Sequence, residues 1–182
     1  MNAYVEKGNF ARARAALERK QKFTDELDQP TLNWFTTWNI AAWELMRGDL
    51  AVGERLAERA FQLGQEAGQA DAVLIYGGQL SFARHFQGRG EEIIEMLEQS
   101  VSAYPAIPAF RAGFAALLCW LDRRGEATAI LEQAASDGFE HVTPGSAKLI
   151  ALALYANVVP GAVTRWNPPD LQPSWPHLPE SD

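Results

Sequence analysis

Cysteine occurs once in the 182 residues, histidine three times, and no apolar run approaches the length of a bilayer span. Each scarcity removes a class of protein. A lone thiol, Cys119, closes no disulfide within the chain, as expected of a reducing compartment. Zinc requires three or four converging N, S or O ligands. His85, His141 and His177 have no second ligand at a useful spacing, so neither a metal nor any other cofactor is expected. A membrane helix needs about 18 consecutive apolar residues, and even "LIALALYANVV" is too short. No basic, apolar leader opens the chain, so a cytoplasmic location is expected. No Gly-rich loop ends in Gly-Lys-Ser/Thr, so the phosphate cradle of nucleotide hydrolases is missing.

Basic excess is missing too. The formal charge is −7, and lysines and arginines alternate with acids instead of forming a stripe, which argues against nucleic acid as the main partner. Glu91, Glu92, Glu95 and Glu98 make an acidic run that reads as a solvated helix face. Acids on an open face keep ordinary pKa values, unlike a catalytic pair held in a cleft. No catalytic residue is assigned, and the chain reads as a non-enzyme.

What is abundant is helix-forming material: Leu, Ala, Glu, Gln and Arg. It is organised by a weak internal echo. "GNFARARAALERK", "GDLAVGERLAERA", "GRGEEIIEMLEQS" and "DRRGEATAILEQA" each put a turn before a helical pattern, with Ala13, Gly53, Ile93 and Ala127 in equivalent positions at steps of 40, 40 and 34 residues. Periods of roughly 34 to 45 residues with two helices each predict an all-α solenoid of antiparallel helix pairs. Expected helices are Phe10–Lys22, Leu32–Met46, Leu50–Glu66, Ala72–Gln87, Glu91–Ala103, Pro108–Leu121, Gly125–Ser136, and a last one from Thr143-Pro144 to about Asn157. Asp49 and Asp71 are expected N-caps.

Six of the ten prolines fall in the last twenty-three residues, with Trp166 and Trp175 among them. Residues 1–157 are therefore expected to form the repeat domain, incomplete at both ends, and 158–182 an extended or disordered tail. A solenoid cut through a repeat at both ends reads as a piece of something longer, or as its diverged remnant.

The small pairs Gly53/Ala60 and Ala127/Ala134, and the unit-closing Pro105, resemble the tetratricopeptide repeat; Ile93 and Ser100 replace the pair in one unit. Across about Leu32 to Ala153 the chain is similar to the C-terminal repeat regions of large bacterial signalling ATPases, which carry a cyclase or a LuxR-type DNA-binding domain. That resemblance implies a scaffolding or sensory segment binding a protein or peptide, or other domains of its parent. It transfers no catalytic residue. Aromatic residues recur on the first helix of each pair, and the bland reading of that recurrence is core. The sharper reading follows the resemblance, in which one face of these helices lines a groove. Trp38, Phe82, His85 and Trp120 are then the expected partner contacts, with small residues at 42, 78, 112 and 116 leaving room. The alternative is a small-ligand sensor whose groove closes around an effector.

Overall fold

Turn chemistry sets the architecture. In the computed structural model, which describes residues 4–5, 7–136, 138–139 and 146–159 (backbone alone for 146–150), the described residues form eight α-helices and one 3₁₀ turn, without a strand. The helices are α1 (Phe10–Leu27), α2 (Pro30–Met46), α3 (Leu50–Glu66), α4 (Ala72–Phe86), α5 (Ile94–Ala103), α6 (Pro108–Trp120), α7 (Arg124–Ser136) and α8 (Ser146–Ala156). The expected all-helical class is what is found.

The echo has a physical counterpart at the turns. Gly8, Gly48, Gly88 and Asp122 all take left-handed backbone, with φ of 67°, 86°, 69° and 60°. Each donates its N–H to the carbonyl three residues back, and the next residue donates to the carbonyl five back; Gly48 N to Leu45 O and Asp49 N to Glu44 O are both 3.0 Å. This double closure satisfies carbonyls that a helix end would otherwise orphan. These four turns keep the 40, 40 and 34 steps of the sequence, and Gly68 and Gly138 close the ends of α3 and α7 in the same way.

Helix starts are more varied. Asn9 and Asp49 cap α1 and α3 through side-chain oxygens, each 3.1 Å from the amide three residues on. Pro30 and Pro108 occupy first-turn positions of α2 and α6, where a missing N–H costs nothing. Asp71 departs from expectation: its backbone is already helical and its side chain makes no capping bond. The expected helix at 91–103 begins as a 3₁₀ turn, Gly90–Ile93, before α5. Gly90 lies so close to α6 that an added Cβ would sit 3.2 Å from Leu117 and Leu121. The first helix also runs five residues beyond its expected end, to an Asp28 in left-handed conformation whose N–H bonds to Thr24 O at 2.9 Å.

Packing is between neighbours. α1 packs on α2, α2 on α3, α3 on α4, α5 on α6, and α6 on α7. The alternate helices also meet in series: α2 with α4, α4 with α6, α6 with α8. The equivalent small positions lie inside these seams, since Ala13, Gly53, Ile93 and Ala127 are all buried. Two close approaches show why they are small. A Cβ on Gly53 would fall 2.6 Å from the Leu45 side chain, and one on Gly64 would fall 2.5 Å from Ala72 Cβ and 2.7 Å from Trp34 Nε1. Cys119 is buried with Ala112, Leu118, Ala127, Ala151 and Tyr155, as its apolar neighbours in sequence suggest. The expected tail, apart from Val158 and Val159, and the turn at Thr143-Pro144 lie outside the described residues.

Candidate functional site

The four expected contact residues lie on α2, α4 and α6, the helices that meet in series. Trp38 is half-buried on α2, with Phe35 edge-on to it at 5.2 Å between ring centroids. Phe35 stays 43% exposed. On α4, Phe82 is 37% exposed and tilts against Phe86 at 4.4 Å. His85 lies edge-on to Phe86 and stacks on Trp120 of α6 at 3.9 Å, with only 26° between the planes. Burial lowers the His85 pKa below the ordinary histidine range. His85 and Trp120 therefore join two helices, as well as sharing a face.

Between α2 and α4 the link is polar. Gln79 Nε2 donates to Trp38 O at 2.7 Å. The other end of that amide, Gln79 Oε1, and the indole Nε1 of Trp38 are both shut off from solvent with no hydrogen-bond partner. One is an acceptor and the other a donor, and a buried unmet polar group costs about 1–3 kcal/mol. Beside them Gly78 opens onto free space, with nothing within 4 Å of where a Cβ would be.

The strip extends onto α1 through Lys20. Its ammonium stands 3.6 Å from the centre of the Phe35 ring and donates to Phe35 O at 3.1 Å. Desolvation lowers its pKa to about 8. Neither Lys20 nor Gln79 was expected from sequence: a lysine near the expected end of a helix reads as solvated, and a glutamine in a helix carries no periodic signal. The exposed Phe35 was recognisable as part of the aromatic recurrence.

Two of the four small residues do not keep the strip open. Ala42 is half-buried and Gly78 exposed, but Ala112 and Ala116 are fully covered. The physical reason is α8, which packs on α6 and draws Ala112 into a cluster with Ala151, Tyr155 and Val158. The open stretch thus runs from α1 to α4 and ends at the His85–Trp120 stack.

The acidic run behaves as a solvated surface with one exception. Glu91, Glu95 and Glu98 are exposed, while Glu92 takes a two-pronged bond from Arg89, 2.7 Å on each oxygen. That bond holds the Glu92 carboxyl below the usual range. His141 and His177 lie outside the described residues.

The chain matches no family model, no curated protein and no solved structure. The reading of the strip rests on its own geometry and on the repeat pattern. Among the described residues no helix is long and apolar enough to cross a membrane.

Proposed function

We propose that this chain is a non-catalytic helical-repeat module of the tetratricopeptide-like kind, whose α2–α4 strip receives a protein or peptide segment. One observation carries the proposal. Phe35 and Phe82, on successive alternate helices, both stay exposed, at 43% and 37%. Exposed aromatics at helical spacing suit a peptide, whose apolar side chains they can anchor. Packing of each helix on the next and of alternate helices in series, with the repeated helix closures, supports the solenoid form of this reading. Its cellular setting follows from the sequence likeness: a regulatory segment of a signalling ATPase system, contacting other domains of its parent or a separate protein.

The test is selection of peptides from a displayed random library on the purified chain, followed by affinity measurement. Phe35→Ala or Phe82→Ala should weaken the selected peptides by about tenfold or more, the scale of an aromatic hot spot. Peptides that bind both variants as well as the wild type would place the contact surface elsewhere and refute the proposal.

A further inference from the structure

A second site lies between the first three helices. α1 and α3 both pack on α2 and leave between them a cleft of about 180 Å³. Its walls include Thr24 and Asp25 from α1, Asn33, Thr36 and Thr37 from α2, and Arg59 from α3. The seam around Phe110, by contrast, is filled by Leu80, Ile93, Leu97 and Leu117. The floor here is polar and buried: Thr24 is 5% exposed and Thr36 is 3% exposed.

The direction of the hydroxyl protons can be worked out. Thr24 Oγ1 donates to Lys20 O at 3.0 Å, since a carbonyl only accepts. The 2.7 Å contact between the Thr24 and Thr36 hydroxyls must then be a donation from Thr36. Thr37 Oγ1 in turn donates to Asn33 O at 2.7 Å. Both α2 hydroxyls have spent their protons and keep only lone pairs, so the floor accepts hydrogen bonds and offers none. At the rim stand one carboxylate, Asp25, and one guanidinium, Arg59. Opposite charges border one cleft, yet among the described residues neither is in an ion pair or a hydrogen bond with a protein group.

We propose that this cleft binds a small zwitterion of the α-amino-acid class. The ammonium group would take the acceptor-only hydroxyls of Thr36 and Thr37 together with Asp25, and the carboxylate would take Arg59. Charge-assisted bonds of this kind are the strong ones, and a guanidinium matches a carboxylate in two-pronged geometry. The space suits a molecule of roughly five to nine heavy atoms, which selects short side chains. None of the cleft residues named belongs to the aromatic strip, so the proposal stands independently of the peptide-binding reading.

The test is calorimetric titration of the purified chain with each of glycine, L-alanine, L-serine and L-threonine, to about 10 mM. Ethanolamine, which lacks the carboxylate, and L-lactate, which lacks the ammonium, are titrated beside them. At least one amino acid should bind saturably, and each half-ligand should bind at least about tenfold more weakly. Arg59→Gln and Asp25→Asn change exposed side chains and should leave the melting curve in place while each weakens binding about tenfold. Thr36→Val should weaken binding from the floor as well, with some loss of melting temperature, because it also removes the buried bond to Thr24. Absence of saturable binding by all four amino acids overturns the proposal. So does equal binding of a half-ligand, or binding indifferent to both Arg59→Gln and Asp25→Asn.

Discussion

Phe82 and Ala116 are equivalent by the repeat, yet one is 37% exposed and the other 1%. Helical periodicity tells which face a residue shares and is silent on how deeply a later element covers that face. Hence the strip's outline on alternate helices was legible in Trp38, Phe82, His85 and Trp120, as positions and not as partner contacts. Its extent was not, because α8 covers the α6 end and the Lys20 contact depends on how α1 leans on α2. This difference in depth has energetic consequences. Phe82→Ala should cost less than about 1 kcal/mol of stability, whereas Trp43→Ala, in a cluster with Ala13 and Leu17, should cost about 3–5 kcal/mol. Urea unfolding of the two variants measures both. His85 gives a pH signature. Its folded pKa lies below the unfolded one, so the unfolded chain binds more protons and stability falls as pH drops from the ordinary histidine range through the folded pKa. His85→Gln should flatten that part of the stability profile, and the difference between the two melting series reports it.

At the scale of elements, most helix limits followed from proline, glycine and capping residues, and the failures have local causes. Asp71 had the composition of a cap, but its backbone continues into the helix and its carboxylate has no amide to meet. The chain near Gly90 tightens into a 3₁₀ turn because α6 leaves no more room there, a tertiary fact absent from local sequence. The small residues inside α3 are set by contact instead of propensity. Ala is worth up to about 1 kcal/mol over Gly in a helix interior. At Gly64 the clash with Ala72 Cβ, which cannot swing away, should reverse that sign, and Gly64→Ala should destabilise by about 1–3 kcal/mol. Asp122 is the opposite case. It is the one non-glycine among the four repeated closures, and its left-handed backbone favours glycine. Asp122→Gly should hold or raise stability by up to about 1 kcal/mol, its exposed bond to Arg124 being worth little. A melting-temperature loss on Asp122→Gly comparable to that of Gly64→Ala would contradict the equivalence of the turns.

At the scale of the molecule, apolar seams join successive units among the described residues, and a charged clamp joins α3 to α4. Arg84 of α4 bonds Glu54 of α3 at 2.6 and 3.2 Å, and Gln87 bonds the same carboxylate at 3.1 Å. Tyr76 stacks on Phe61 nearby, its phenol pushed well above the usual range by burial first and then by Glu58. Because Arg84 is only 15% exposed, Arg84→Met should cost about 1–3 kcal/mol by leaving Glu54 half-covered without its partner; a stability unchanged in urea titration would demote the clamp to a surface contact. The all-helical class was legible in the composition and the turn spacing, and the turns at the 40, 40 and 34 steps are closed as hydrogen bonding at helix ends requires. What the repeat is for depends on the strip. The most direct measurement is a titration of isotope-labelled chain with a library-selected peptide, followed by amide chemical shift. Perturbations should concentrate on α2 and α4 around Phe35, Trp38, Gly78 and Phe82. Perturbations confined to the acidic face of α5, with none around Phe35 and Phe82 at saturation, would contradict the account.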